Sequence, residues 1–155
     1  MNVGLCWAGG PLHRNDVNRS SPFEAWAPLF AIPGVTLRSM LPPDHARADE
    51  WRTYPWAAAL ETPLGKGDFF DSAPHVRALD LLITVDTAVG HLAGGMDVPT
   101  WLLLATSPDF RWGLGTDRTP WYPNHRLYRQ AKHGQWEPVL ARVAADLATL
   151  VQKAA

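Results

Sequence analysis

The chain has 155 residues, of which 46% are hydrophobic and 19% charged, and its formal net charge at pH 7 is -1. This length predicts one domain with a buried core, and a near-neutral charge without a basic cluster argues against a nucleic-acid partner. There is no apolar run of about 20 residues, no signal sequence at the N-terminus and only one cysteine, Cys6. We therefore expect a cytoplasmic protein without an internal disulfide or a membrane span.

Two strands and a helix are predicted near the N-terminus. Residues 3–7 form a continuous apolar run, which is typical of a strand buried on both faces in a parallel sheet. Residues 35–40 predict a second strand. Between them, Ser21 and Glu24 have the spacing of a helix capping box, so we expect a helix from there to about residue 31.

The loop that joins the first strand to this helix carries groups that suit an anion. It contains Gly9 and Gly10, and it ends in Arg19 and Ser20. Glycines after a strand let the backbone approach a ligand closely, and guanidinium groups bind phosphates and carboxylates. Alternatively, the arginines are solvated surface side chains, and these residues alone leave both interpretations open.

The next segment has weaker patterns. Residues 41–59 lack a clean periodicity, although part of them, about 44–52, has helical character. Residues 60–64 suggest a short third strand. Glu61 would then lie near the edge where ligands bind, or it is simply an exposed side chain.

A helix and a complete β-α-β unit follow. The run of residues 69–74 leads into a helix that extends to Ala78, with Asp71 or Ser72 as its expected N-cap. Residues 79–104 contain an apolar run, a polar break, a helix of small residues, a turn and a second apolar run. Both runs lack alternation, so each predicts a strand buried on both faces.

The polar break in this unit consists of Asp86 and Thr87. In open α/β sheets such a junction binds anions, because the first N–H groups of the helix lack partners and the helix dipole favours negative charge. Ala88 and Val89 leave the first helical turn unobstructed, and His91 lies close by in the same turns. Alternatively, Asp86 or Thr87 is only an N-cap, and His91 is only a buried, hydrogen-bonded histidine.

The C-terminal part completes the alternation of strands and helices. Asp109 and Arg111 follow the second strand of the unit, and they either pair with each other or bind a ligand. Residues 126–130 predict a last short strand, and residues 136–152 predict an amphipathic helix. We therefore expect a single α/β domain, residues 1–155, with a Rossmann-like, doubly wound and mostly parallel sheet.

Three segments then meet at one edge of the sheet. The first segment is residues 9–20, the second is residues 86–91 and the third is residues 107–112. The chain has no G-x-S-x-G nucleophile elbow and no phosphate-binding Walker A loop. Its six histidines are scattered, so no dedicated metal site is expected.

Four stretches of the chain carry a family resemblance. They are residues 3–9 (VGLCWAG), 15–20 (NDVNRS), 80–94 (DLLITVDTAVGHLAG) and 108–112 (PDFRW), the last together with 121–123 (WYP). They resemble the C-terminal half of a GT-B glycosyltransferase of the heptosyltransferase type, family 9. The resemblance is greatest to the versions attached to tetratricopeptide repeats in bacteria.

The resemblance implies that this chain binds a nucleotide sugar as donor substrate, without a separate cofactor. Residues 87–89 would offer backbone and hydroxyl donors to the diphosphate, with a further hydrogen bond from His91. Arg19 or Ser20 would close over the phosphates, and residues near Glu61 would meet the nucleoside. The complete set of implied binding positions is Arg19, Ser20, Glu61, Asp86, Thr87, Ala88, Val89, His91 and Asp109.

Two departures from the family shape the expected function. In GT-B enzymes the N-terminal half usually supplies the acceptor site and the catalytic base, whereas this chain starts at the first strand of the second half. Residues 40–59 also lack the Gln or Lys that often follows the second strand in relatives. We expect a donor half that is inactive alone and is completed by another chain or by a homodimer, with the catalytic residues unknown. The alternative is a non-catalytic nucleotide-binding or protein-interaction remnant.

Overall fold

A computed structural model describes residues 1–154 and shows a five-stranded sheet. Its strands are β1 (Asn2–Cys6), β2 (Thr36–Ser39), β3 (Leu81–Val85), β4 (Thr100–Leu104) and β5 (His125–Arg129). All neighbouring strands are parallel, and they follow the order β2-β1-β3-β4-β5. The predicted Rossmann-like α/β fold is therefore confirmed.

Helices flank this sheet. They are α1 (Asp16–Arg19), α2 (Ala27–Phe30), α3 (Phe69–Arg77), α4 (Ala88–Gly95) and α5 (Glu137–Ala154). α2 packs against α5, whereas α3 packs against α4. Because the strand order reverses between β1 and β3, right-handed connections place α2 and α3 on opposite faces of the sheet. None of the helices within residues 1–154 combines the length with the apolar character that crossing a membrane requires.

The apolar strands bring the polar junctions to one edge. β3 is buried along its whole length, as the continuous apolar run predicts. Cys6 pairs with Thr84 in the parallel register of β1 and β3. The two strands therefore leave the sheet side by side, and the first and second segments begin at neighbouring points. This is the place where open α/β sheets bind ligands, since the strand order reverses there.

The helix predicted from Ser21 begins differently from its expected capping box. Residues Phe23–Trp26 form a 3-10 turn, and only Ala27–Phe30 are α-helical. The Ser21 hydroxyl donates to the Trp7 carbonyl oxygen at 3.3 Å and accepts from the Trp26 indole N–H at 2.8 Å. The capping-box prediction was wrong because these buried contacts occupy the serine hydroxyl.

The segment between β2 and α3 contains less regular structure than predicted. Of the residues 44–52 that were expected to have helical character, 44–49 form turns and the rest belong to a 3-10 turn at Glu50–Thr53. The predicted strand over residues 60–64 is reduced to a single parallel bridge between Arg38 and Glu61. A proline at position 63 lacks the N–H that a longer strand pairing would use.

The start of α3 also corrects the predicted N-cap. Asp68 is the N-cap, and its carboxylate accepts from the backbone N–H groups of Phe70 and Asp71. Asp71 in turn accepts from the Asp68 N–H at 3.2 Å, which completes a capping box. Asp71 and Ser72 therefore lie inside the helix, because the acidic pair spaced three residues apart defines its start.

Candidate functional site

The three segments predicted to meet at one edge of the sheet line one cavity of about 360 Å³. It lies beyond the carboxyl ends of β1, β3 and β4. Its walls consist of polar and charged side chains over a floor from the end of β4. The lining residues are His13, Asn15, Arg19, Asp86, Thr87, Ala88, His91, Leu104, Ala105, Ser107, Pro108, Asp109 and Arg111.

The N-terminus of α4 opens into this cavity without a side-chain cap. Thr87 occupies the N-cap position with extended backbone angles, and its side chain makes no cap hydrogen bond. The Thr84 hydroxyl donates to the Val85 carbonyl, so the Thr87 hydroxyl donates to Thr84 Oγ1 at 2.9 Å. Thr87 thus turns its hydroxyl inward, and the first backbone N–H groups of α4, including that of Ala88, are the donors that an anion would meet.

Arg19 places a positive charge beside this helix start. Its Nη1 donates to the Asp86 carbonyl oxygen at 3.0 Å, and its Nε donates to Asp16 Oδ1 at 3.2 Å. A Cβ atom added to Gly9 would lie 2.6 Å from Arg19 Nη2, so only glycine admits the guanidinium here. The first segment therefore needs a glycine at position 9 for the close approach of the Arg19 side chain.

Ser20 supports Arg19 and does not line the cavity that contains the α4 N-terminus. The buried Ser20 hydroxyl accepts from the Gly9 N–H at 2.9 Å and donates to Asp16 Oδ1 at 3.0 Å. Asp16 in turn holds Arg19. Of the two residues predicted to close over an anion, Arg19 lines the cavity and Ser20 shapes the loop behind it.

His91 reaches the cavity from the second turn of α4. Its Nδ1 is 3.0 Å from the Tyr122 hydroxyl, and its ring stacks on Trp112 with centroids 5.2 Å apart. Burial lowers the pKa of His91 below its ordinary value, against the opposing effect of Asp86. The imidazole is therefore neutral at pH 7 and presents either an N–H or a lone pair to the cavity. Tyr122 and Trp112 lie in stretches that carry the family resemblance, but neither is among the predicted binding positions.

Asp109 and Arg111 pair with each other and lie in the wall of the polar cavity. Arg111 Nε lies 3.1 Å from Asp109 Oδ1, and the same oxygen accepts from the Arg111 backbone N–H at 3.0 Å. Both residues also line the cavity. Sequence reasoning placed Arg111 in this segment but did not include it among the binding positions.

A second cavity of about 210 Å³ lies on the other side of the α4 N-terminus. It shares Thr87 and Ala88 with the first cavity. Val89, a third predicted site residue, lines this second cavity and not the first. Its walls are mainly apolar. They comprise Cys6, Ala8, Gly9, Gly10, Met40, Leu41, Pro42, His45, Leu64, Phe69, Ser72, Thr87, Ala88 and Val89.

Glu61, like Ser20, is a predicted site residue that lines neither of these two cavities. Its carboxylate accepts from Arg38 Nε at 2.8 Å. Arg38 belongs to the edge strand β2, so the pair lies at the outer side of the sheet. Three residues further on, Leu64 lines the apolar cavity. Within residues 1–154, no three His, Cys, Asp or Glu side chains come together in a way that could hold a metal ion.

No protein-family model matches the sequence. Over 148 residues the chain is 32% identical to protein FlbA of Caulobacter vibrioides, a match that covers 94% of this chain and 24% of FlbA. The chain thus spans about a quarter of the length of this curated relative.

Solved structures with a similar fold include two heptosyltransferases of E. coli. ADP-heptose LPS heptosyltransferase II matches with a TM-score of 0.71 and 18% identity, over 99% of this chain and 47% of that chain. Heptosyltransferase WaaC, in a structure with ADP-2-deoxy-2-fluoro heptose, matches with a TM-score of 0.62 and 17% identity, over 99% and 43% respectively. The chain therefore has the Rossmann-like α/β fold found in heptosyltransferases, over less than half of their length.

Proposed function

We propose that this chain binds the nucleoside diphosphate of a nucleotide sugar and serves as the donor-binding half of a glycosyltransferase. The observation that carries the proposal is the cavity in which the uncapped α4 N-terminus, Arg19 and His91 face one another. Helix N–H groups and a guanidinium are the donors that proteins use for phosphates. The similarity to heptosyltransferases supports the same class of ligand.

The two adjoining cavities suit the two ends of such a ligand. The diphosphate would lie at Ala88, where the cavities meet, within reach of Arg19 and His91. The apolar cavity, with Met40 and Phe69 in its wall, would take the nucleoside base. The nucleoside would then lie near Leu64, three residues after Glu61, which is the region that the family resemblance implies, although Glu61 itself is paired with Arg38.

The sugar would occupy the opposite end of the polar cavity. Asp86 and Asp109 both line that cavity, and carboxylates are good acceptors for sugar hydroxyl groups. When the bond between the sugar and the diphosphate breaks, negative charge grows on the leaving phosphate oxygen. The α4 N–H groups and Arg19 are positioned to stabilise that charge, which is how such donors promote group transfer.

We propose further that a second structural unit completes the cleft. Several large apolar side chains are exposed on the elements at this edge, a pattern that often marks an interaction surface. They are Leu12, Val17, Phe69, Phe70, Phe110 and Leu114. As in the tetratricopeptide-repeat glycosyltransferases that the motifs resemble, the acceptor site and the catalytic base would come from a GT-B N-terminal half or from a second copy.

A non-catalytic nucleotide-binding or interaction module is the second candidate function. It is favoured by the large apolar side chains exposed at this edge, a pattern that often marks a protein-interaction surface. Both candidates require the same ligand site and differ in turnover. Release of the nucleoside diphosphate from a bound nucleotide sugar, measured with and without a co-expressed partner, separates them.

Calorimetric titration with ADP, GDP and UDP, followed by their sugar conjugates, tests ligand binding. We expect one nucleoside diphosphate to bind the wild type and to lose most of its affinity in the double variant Arg19→Gln, His91→Gln. The double variant Arg38→Gln, His75→Gln is the matched control, because both residues lie outside the cavities. If none of the three nucleotides binds, or if both double variants bind alike, the proposed site is wrong.

A further inference from the structure

Tyr122 is joined to the candidate site through a single hydrogen bond. Its hydroxyl lies 3.0 Å from Nδ1 of His91, 31 residues away in the sequence. Tyr122 itself does not line either cavity at this edge. Within residues 1–154, the other imidazole nitrogen of His91, Nε2, makes no hydrogen bond, while the His91 side chain lines the polar cavity. Tyr122 thus contacts Nδ1, and Nε2 of the same imidazole remains for a ligand.

The surroundings of Tyr122 hold its ring in one place. A Cβ atom added to Gly94 of α4 would lie 2.4 Å from Tyr122 Cδ1, so the ring rests directly on the helix at this glycine. On another side, the His125 ring lies with its centroid 4.7 Å from that of Tyr122. His125 Nε2 is in turn 3.2 Å from the Gly90 carbonyl oxygen, which ties β5 to α4. The hydroxyl is therefore presented to His91 by a packed arrangement and not by a mobile loop tip.

The proton on His91 decides what the cavity offers to an anion. A neutral imidazole carries one N–H, and the second nitrogen is an acceptor. With the proton on Nδ1, the lone pair of Nε2 would face the phosphates and repel them. With the proton on Nε2, the imidazole would donate alongside Arg19 and the α4 N–H groups.

We infer that Tyr122 is a positioning residue that donates its hydroxyl proton to Nδ1 of His91 and thereby keeps the proton of the neutral imidazole on Nε2. Trp112 stacks on the same imidazole with an interplanar angle of 22° and fixes the ring plane. Together they aim one N–H into the polar cavity. The inference rests on the proposed function for the identity of the ligand, whereas the tautomer is a property of the free protein.

Long-range ¹H–¹⁵N NMR of the imidazole rings in the free protein, recorded above pH 7, tests this directly. The His91 signals are identified by their loss in His91→Gln. We expect the wild type to show His91 with Nε2 protonated and Tyr122→Phe to show a mixture of tautomers. Gly94→Ala, which displaces the Tyr122 ring but keeps its hydroxyl, should act in the same direction. Tyr128→Phe is the matched control, since the Tyr128 hydroxyl donates to Asp146 at 2.8 Å instead.

Titration of the same variants with ADP, GDP and UDP provides the second measurement. Loss of one hydrogen bond to a neutral group predicts a decrease in affinity of about tenfold or less for Tyr122→Phe, and no change for Tyr128→Phe. A wild-type His91 protonated on Nδ1, or a tautomer unaffected by Tyr122→Phe, overturns the inference. If the tautomer changes as expected and no nucleotide binds the wild type, the positioning role stands and only the proposed function fails.

Discussion

Arg19 Nη1 donates to the backbone carbonyl oxygen of Asp86 at 3.0 Å, which joins the loop after β1 to the end of β3 across 67 residues of sequence. The bond fixes a guanidinium beside the open N-terminus of α4. Arg19 Nε donates to Asp16 Oδ1 and Nη2 donates to the Gly10 carbonyl oxygen at 3.5 Å, so one N–H on each of Nη1 and Nη2 remains for a ligand in the cavity that Arg19 lines. The candidate site therefore depends on the register of two neighbouring parallel strands.

Arg19→Gln should weaken binding of a nucleoside diphosphate by about tenfold to a hundredfold, because hydrogen bonds to charged groups contribute about 1.5–3 kcal/mol each. Calorimetric titration measures the effect. Arg38→Gln is the control, since Arg38 pairs with Glu61 away from both cavities. Equal affinities of the two variants would contradict a direct role of Arg19.

Gly9→Ala should weaken binding by displacing Arg19. The added methyl group would lie 2.6 Å from both Arg19 Nη2 and Asp16 Oδ1, so the guanidinium must move. Gly65→Ala is a matched control, because a Cβ atom at Gly65 has no neighbour within 4 Å among the described residues and Gly65 lines neither cavity. Titration of both variants distinguishes this steric effect from a general change in loop stiffness. Retained affinity in Gly9→Ala would show that the position of Arg19 is unimportant.

The free energy of unfolding should fall as the pH decreases from about 6.5 towards 4, because of His125. Burial lowers the pKa of His125 to about 4. Between about pH 6.5 and 4, the unfolded chain therefore binds a proton at His125 that the folded protein does not bind. The slope from one such group is at most about 1.4 kcal/mol per pH unit. Urea unfolding at several pH values measures it. His125→Gln should flatten the slope, and an unchanged slope would exclude this histidine as the cause.

Asp68→Ala should destabilise the protein by about 1 kcal/mol through loss of the N-cap of α3. The Asp68 carboxylate accepts from the Phe70 N–H at 2.7 Å and from the Asp71 N–H at 3.4 Å. Urea unfolding is the measurement, and Asp117→Ala, at an exposed acidic residue whose side chain makes no hydrogen bond or ion pair among the described residues, controls for the change in net charge. Nucleotide affinity should be unaffected, since Asp68 lines neither cavity at the carboxyl edge.

Much of the fold could be predicted from the sequence because its signals are local. The continuous apolar runs identified β1, β3 and β4, and the small residues after Thr87 identified α4. The incorrect predictions concern residues whose side chains form other contacts in the folded protein than the expected local ones. Ser21 is drawn into the core by Trp7 and Trp26, and a pattern of residue types does not contain such a contact.

The candidate site was predicted in part. The parallel topology brings Arg19, Asp86 and Asp109 to one edge, which follows from the order of strands and loops. Glu61 was assigned to this edge on a predicted strand, but its ion pair with Arg38 places it outside both cavities. For Arg111 the sequence left pairing with Asp109 and ligand binding both open, and its position in the cavity wall depends on the path of the third segment.

The sequence by itself determined the alternation of buried strands and helices, the polar junction at Asp86, and the chemical type of groups available there. Only the tertiary structure decided how those groups are used. It turns the Thr87 hydroxyl inward to Thr84 and sets Tyr122 against His91. The physical reason is that a hydrogen bond depends on distance and direction between residues far apart in sequence, and packing of the whole domain sets both.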